Sequence, residues 1–237
     1  MSAVELVLAS VAMGLGACVQ SAVGFGSTLL AAPVLVLIDP GFVPGPVALV
    51  SLALNLLVIR RERGGYDNLI GYAVVGLVPG TLLAGVTVAS LSNRGISIGT
   101  AAAVLAAVAV TALGTDLHPT PSTLVGAGVV SGFVGTVSGI GGPPLALVYQ
   151  RASGPVVRST LARFFFAGGL MTVAALVVIN RIGVDAVGYA AALLPGTLNG
   201  FAGSAALARH LDRRTARPAV LALSVVAALA VLARELT

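Results

Sequence analysis

Ten apolar segments, separated by short connections, fill most of this chain. They cover residues 4–23, 27–38, 42–59, 69–91, 96–113, 122–138, 143–150, 154–180, 185–207 and 216–233. A helix needs about 20 apolar residues to cross a bilayer, and eight of the segments are long enough. Charged residues make up only 9% of the chain, whereas soluble domains contain about 25%. The pattern therefore predicts an all-α, polytopic membrane protein.

Two of the segments, 27–38 and 143–150, are too short to cross. As helices they would be roughly 18 and 12 Å long, compared with a hydrocarbon core of about 30 Å. Each follows a run of helix-breaking residues, at positions 24–28 and 139–144. Glycine frees the backbone, and proline removes an amide donor. We therefore predict short broken or re-entrant helices at these two breaks.

The two halves of the chain carry the same features in the same order. The glycine breaks lie 115 positions apart, and a Pro-Gly-Thr sequence at 79–81 recurs 116 positions later, at 195–197. Two matches at nearly the same offset indicate an internal duplication. We predict an amino-terminal repeat at 1–116 and a carboxy-terminal repeat at 117–237, which together form one transport domain.

The number of segments predicts the relative orientation of the repeats. Each half has five segments, an odd number, so the second half should enter the membrane from the opposite side. With the arginine-rich connection 208–217 in the cytoplasm, Arg151 and the arginines at 60–63 also fall inside, while Arg94 and Arg181 fall outside. The excess of positive charge inside satisfies the positive-inside rule. The sequence thus predicts two inverted repeats.

Several functions are disfavoured by what the chain lacks. The formal charge of +5 comes from thirteen arginines and no lysine, and their position between apolar segments marks topology rather than a nucleic-acid site. Cys18 is the single cysteine, so no disulfide or cysteine metal site can form within one chain. No ATPase phosphate loop, metal-ligand cluster or nucleophile triad occurs. We expect neither an enzyme nor a cofactor or metal.

Broken helices at matching positions of inverted repeats are typical of transporters that bind substrate near the midplane. Free backbone N–H groups and the positive end of a helix favour an anion there. The predicted substrate-binding residues of the two breaks are Gln20, Gly24, Phe25, Gly26, Ser27, Thr28, Ser138, Gly139, Ile140, Gly141, Gly142 and Pro143. Ser21, Ser131 and Thr136 are further candidate donors. The alternative is that the glycines only allow close helix packing.

Arg163 has two interpretations. If its helix begins at Gly154, Arg163 lies roughly 13 Å along it, near the bilayer middle, and needs an anionic partner such as a substrate. If residues 164–180 cross alone, Arg163 is interfacial and snorkels. The remaining candidates, for the pathway or for hinges, are polar or kink-forming residues within spans: Asn55, Pro79, Gly80, Thr81, Pro195, Gly196, Thr197 and Asn199.

At the two glycine breaks the sequence resembles the TauE/SafE (sulfite exporter, TSUP) family of membrane transporters. That family has a duplicated Gly-Ile-Gly-Gly-Gly stretch followed by apolar residues and proline. The second break is similar to it, as Gly-Ile-Gly-Gly-Pro-Pro at 139–144, and Arg158 follows. The first break departs from it at Phe25, Ser27 and Thr28, which leaves the particular substrate open.

The resemblance implies a secondary transporter, in the first instance an exporter, of small sulfur-containing anions such as sulfite or organosulfonates. Access would alternate around a site between the two repeats as the halves rock. The implied partners are a small anion and the lipid bilayer, without nucleic acid, and a homodimer is left open. The implied location is the cytoplasmic (inner) membrane of a bacterium. The alternatives are a permease for another small organic anion and a non-transporting membrane scaffold or accessory subunit.

Overall fold

The computed structural model describes residues 2–113, 117–149, 152, 154–210 and 213–236, and within them the chain is helical without any strand. The ten α-helices are α1 (Ala3–Val23), α2 (Ser27–Ile38), α3 (Gly45–Arg61), α4 (Ile70–Ser90), α5 (Asn93–Leu113), α6 (Pro121–Ser138), α7 (Pro143–Val148), α8 (Pro155–Val178), α9 (Val184–His210) and α10 (Arg213–Leu236). One 3₁₀ turn (Pro40–Phe42) precedes α3. The predicted repeat boundary at residue 116, Arg151, and residues 211–212 of the arginine-rich connection lie outside the described residues.

The ten helices confirm the ten apolar segments, with ends that differ by at most three residues. Four of them, α1, α4, α6 and α8, are long and apolar enough to cross a membrane, judged by length and composition over the described residues. The other four predicted spans form helices of 17 to 27 residues, and their crossing stays a prediction.

Apolar side chains cover the outside of the spanning helices. Val7 and Leu15 of α1, and Leu82 and Val86 of α4, are each more than half exposed. Large exposed apolar surfaces are unusual on soluble monomers and mark contact with another apolar phase. The structure therefore fits a polytopic membrane protein.

Both predicted breaks occur at a helix end that glycine closes. Helix α1 ends at Gly24, which has φ +111° and donates its N–H to the Gln20 carbonyl at 2.7 Å. Helix α6 ends at Gly139, which has φ +76° and donates to the Gly135 carbonyl at 2.8 Å. Glycine is favoured at such left-handed helix caps because it has no Cβ. The short helices α2 and α7 then begin within four residues, which confirms the predicted broken helices.

The helices pair across the two halves of the chain. Helix α1 packs on α9, and α4 packs on α6, while α3 lies against α8 and α5 against α10. Exchanging α1–α5 for α6–α10 converts the α1–α9 pair into the α6–α4 pair and maps the α3–α8 and α5–α10 pairs onto themselves. A duplicated chain predicts this pairing. The opposite orientation of the two repeats in the membrane stays a prediction.

Glycines bring two of these helix pairs, α4 with α6 and α1 with α9, into main-chain contact. A Cβ on Gly80 of α4 would lie 2.1 Å from the Val129 carbonyl oxygen of α6, and one on Gly196 of α9 would lie 1.8 Å from the Ser10 carbonyl oxygen of α1. Five further glycines of these two pairs make interhelix approaches below 3.0 Å: Gly14, Gly76, Gly128, Gly132 and Gly200. Those at 76 and 80, at 128 and 132, and at 196 and 200 stand four residues apart, the small-xxx-small spacing of tightly packed membrane helices.

The two largest hydrophobic cores each mix the halves. One contains residues of α1, α2, the start of α3, α5, α9 and α10. The other contains residues of α4, α6, α7 and α8, together with the partly buried Phe25. The first core thus combines four helices of the amino-terminal half with two of the carboxy-terminal half. The packed units of this fold differ from its sequence halves.

Candidate functional site

A cavity of about 80 Å³ lies where the two glycine breaks meet. Residues 25–29 of the first break and residues 139–143 of the second face each other across it. The rest of the wall comes from α1, α3, α4, α6 and α8. The cavity is therefore built at the place where the sequence predicts the substrate site.

The cavity lining is nearly the same in the two halves. Residues 20 and 25–28 line it, and so do the residues 115 positions after each of them. On α3 the lining residues are Val47, Ala48, Ser51 and Asn55, and the residues 117 positions later, on α8, also line it. Sequence reasoning missed the α8 wall: the motif offsets of 115 and 116 take Asn55 to residue 170 or 171, whereas its counterpart on the cavity is Thr172, 117 positions later.

Twelve of the predicted residues line the cavity: Gln20, Phe25, Gly26, Ser27, Thr28, Asn55, Ser131, Gly139, Ile140, Gly141, Gly142 and Pro143. Gly24 does not, because the side where its Cβ would stand faces Leu161 and Arg158 at 3.4 to 3.7 Å. Ser138 does not either, since its hydroxyl donates to the Val134 carbonyl at 2.7 Å in its own helix.

The Pro-Gly-Thr residues also lie away from the cavity. None of Pro79, Gly80, Thr81, Pro195, Gly196, Thr197 and Asn199 lines it. Gly80 and Gly196 instead make the close contacts between helices of different halves. A role for these residues in lining the pathway is therefore not supported in this conformation, whereas their role as hinges is untested.

The buried polar side chains of the first wall, Gln20, Ser27 and Asn55, form hydrogen bonds with one another. The Gln20 carboxamide oxygen accepts from the Ser27 N–H at 3.2 Å and from the Ser27 hydroxyl at 2.5 Å. The Gln20 side-chain NH₂ donates to the Asn55 side-chain oxygen at 3.0 Å, and the Asn55 NH₂ donates to the Ser51 carbonyl at 2.7 Å. Gln20 therefore caps the amino end of α2 from within the protein.

The second wall has fewer internal hydrogen bonds. The hydroxyls of Thr136 and Thr172 bond to each other at 2.9 Å. The Ser131 hydroxyl is buried in the wall and has no partner among the described residues. The N–H groups of Gly141 and Gly142 make no hydrogen bond within the same described part of the chain. This wall therefore offers donors to a ligand.

No Asp, Glu, Arg or His side chain lines the cavity in the described part of the chain. Nor do the described residues contain a group of three His, Cys, Asp or Glu that could hold a metal ion. The cavity offers amide, hydroxyl and carboxamide groups next to apolar side chains such as Phe25, Phe164 and Phe165. Such a surface suits a small ligand with hydrogen-bond acceptors.

Arg163 lies outside the cavity wall. Its guanidinium donates to the carbonyl and hydroxyl of Ser159, one turn earlier on α8, and stands 4.4 Å from the ring centre of the exposed Tyr66. These contacts place Arg163 beside the connection before α4. Membership of the site is therefore not supported, and the interfacial interpretation is favoured.

Three charged residues join four helices at one end of the bundle. The Glu62 carboxylate, almost buried, accepts from Arg158 Nε at 2.8 Å and from Arg158 Nη2 at 3.2 Å, a bidentate pair. Arg61 donates to the same carboxylate at 3.2 Å, to the Ser204 hydroxyl at 2.7 Å and to the Ser21 carbonyl. The group links α1, α3, α8 and α9.

Two tyrosine–aspartate hydrogen bonds fasten the connections after the short helices. Tyr149, directly after α7, donates to Asp67 at 2.9 Å, just before α4. Tyr189 of α9 donates to Asp39, directly after α2, at 2.8 Å. Burial and the hydrogen bond to Asp67 raise the pKa of Tyr149, so its phenol stays protonated and able to donate at neutral pH. Each bond joins one half of the chain to the other.

One protein family matches this chain. The family model for "Sulfite exporter TauE/SafE" aligns with residues 8–231 of the 237. The match includes both glycine breaks and every residue of the cavity wall. No curated protein and no solved structure matches the chain.

Proposed function

We propose, from the premise that this chain belongs to the TauE/SafE family of sulfite exporters, that its cavity binds and translocates a small sulfur oxyanion. Family membership makes the chain a multi-pass membrane transporter of the sulfite-exporter type. The proposal adds that sulfite or a short organosulfonate is the substrate, that the protein is a secondary transporter and that net movement is export. Its proposed location is the cytoplasmic membrane of a bacterium.

The observation that carries the proposal is the meeting of two glycine breaks around a cavity with free donors and, among the described residues, no charged side chain. A scaffold protein has no need of a polar cavity between interrupted helices, because unsatisfied polar groups inside a membrane protein are costly. The packing alternative is supported elsewhere in the chain, at Gly80 and Gly196, whose close approaches are between helices. The two sets of glycines therefore have different roles.

The size of the cavity favours small anions. The cavity volume is about 80 Å³. Since one water molecule needs roughly 10–15 Å³ of such volume, the cavity holds on the order of five to eight non-hydrogen atoms. Sulfite, thiosulfate and short sulfonates fall within that limit. Small carboxylates also fit, so a permease for another organic anion remains the second candidate.

Alternating access in this fold requires moving units other than the sequence halves. The contacts of Gly80 with α6 and of Gly196 with α1 join the two halves at main-chain distance. Separating the halves would break both contacts. We propose that the two mixed groups move instead, one with α1, α2, α5, α9 and α10, the other with α4, α6, α7 and α8. The Tyr149–Asp67 bond lies within the second group and the Tyr189–Asp39 bond within the first, so both bonds would persist during the movement.

A ligand screen on the purified protein tests the proposed substrate class. A ligand that binds only the folded state raises apparent stability by about 2.7 kcal/mol at a concentration of 100 Kd. We expect sulfite, thiosulfate, sulfoacetate or taurine to raise the melting temperature with concentration, and acetate to do so less. A larger shift with acetate than with every sulfur anion would favour the carboxylate permease, and the absence of any shift would remove the support for an anion site.

A further inference from the structure

The two walls of the cavity differ in whether their buried polar side chains all have hydrogen-bond partners within the protein. Gln20, Ser27 and Asn55 on the first wall bond to one another. On the second wall Ser131 is 2% exposed, and its hydroxyl has no partner in the described part of the chain. Leaving a buried hydroxyl unsatisfied is unfavourable. Because Ser131 also lines the cavity, its hydroxyl is free to donate to a ligand there.

The repeat explains why the second wall is open. The position that corresponds to Gln20, 115 residues later, is Gly135, and the one that corresponds to Ser27 is Gly142. At the first break a carboxamide oxygen accepts from the Ser27 N–H. At the second break Gly135 has no side chain, so the N–H of Gly142 lacks the corresponding acceptor.

Ser131, Gly135 and Gly141 lie side by side. A Cβ on Gly141 would stand 3.0 Å from the Ser131 carbonyl oxygen, and one on Gly135 would stand 3.2 Å from the Gly141 Cα. All three residues line the cavity. A ligand atom next to Gly135 is therefore close to both the Ser131 side chain and the amides of the break.

We propose that an oxygen of the transported anion binds in this place, accepting hydrogen bonds from the Ser131 hydroxyl and from the N–H groups of Gly141 and Gly142. The assignment rests on the proposed function. It makes Ser131 the side chain that donates a hydrogen bond to an oxygen of a sulfite or sulfonate group, beside the N–H donors of the break. Gln20 is then a permanent cap of α2 rather than a ligand of the substrate.

Replacing Ser131 by alanine tests the assignment, with Thr100→Val as a matched control. Thr100 is also buried with an unpartnered hydroxyl, but it lies on α5 and does not line the cavity. Titrations use the full-length protein with sulfite and with methanesulfonate. We expect Ser131→Ala to bind about tenfold more weakly, the effect of one hydrogen bond to a charged group. Thr100→Val should keep the wild-type affinity.

The melting temperatures without ligand separate binding from folding. Both variants remove a hydroxyl without a partner, so neither should melt below the wild type. Affinity within twofold of the wild type in Ser131→Ala would overturn the assignment, as would a clearly lowered melting temperature in that variant alone. If the wild type binds neither anion, both the proposed function and the assignment of Ser131 fail. If the wild type binds an anion and Ser131→Ala binds it equally well, only the assignment of Ser131 fails.

Discussion

Replacing Gly168 by leucine is expected to abolish transport while the protein stays folded. Gly168 lies within α8 and lines the cavity, and a Cβ there would stand 3.5 Å from a Leu77 methyl group, an ordinary contact. Removing a glycine from a helix interior favours the helix by up to about 1 kcal/mol. The leucine side chain would fill much of a cavity of about 80 Å³. We expect flux in proteoliposomes to fall at least about tenfold, since the side chain occupies the space in which the substrate binds and each 1.4 kcal/mol of lost binding free energy is about tenfold in affinity.

Gly126→Leu is the matched control for this substitution. Gly126 lies on α6, is exposed, and has nothing within 4 Å of its Cβ position. The same chemical change there should leave both flux and melting temperature near those of the wild type. Wild-type flux in a folded Gly168→Leu protein would show that the substrate does not pass through the cavity.

Replacing Gly196 by alanine is expected to prevent folding or to lower stability severely. The new Cβ would lie 1.8 Å from the Ser10 carbonyl oxygen and 2.6 Å from its carbon. Because these are backbone atoms, α1 and α9 must move apart and lose the Gly196 N–H bond to the Ser10 hydroxyl. Overpacking of this kind costs about 3 kcal/mol or more, which exceeds the gain of about 1 kcal/mol in helix propensity.

The yield of monodisperse protein in detergent and its melting temperature measure this effect. Gly203→Ala on the same helix is the control, since nothing lies within 4 Å of its Cβ position. That variant should match the wild type or melt slightly higher. A Gly196→Ala protein that folds and melts like the wild type would contradict the packing role and would favour a hinge at 195–197.

Much of the fold could be predicted because apolar runs and helix breakers act locally. The first residues of α2 and α7 follow directly after Gly26 and Gly142. Free backbone groups at these breaks must be shielded from lipid, which predicts a shared water-filled cavity. The repeat extends beyond the motifs, because it relates α3 to α8 across the cavity, but at an offset of 117, with Asn55 opposite Thr172, that the motifs do not show.

Other features depend on which helix lies opposite, and no single segment shows that. Gly80 looks like a hinge beside Pro79, but its close neighbour is Val129 on α6. Arg163 looks central by its distance along α8, yet its contacts are with Ser159 and the exposed Tyr66. The orientation of a side chain around its helix decides both cases, and the sequence pattern did not determine it.

Efflux of a sulfur anion from proteoliposomes containing the wild-type protein tests the central claim most directly. The anion is the one that most raises the melting temperature, and a potassium gradient with valinomycin sets the membrane potential. An inside-negative potential favours anion exit by about 2.3 kcal/mol per charge per 100 mV. With no carboxylate lining the described cavity, we predict that efflux accelerates with this potential without a proton gradient. Efflux no faster than from protein-free liposomes, or efflux that requires a proton gradient at zero potential, would contradict the account.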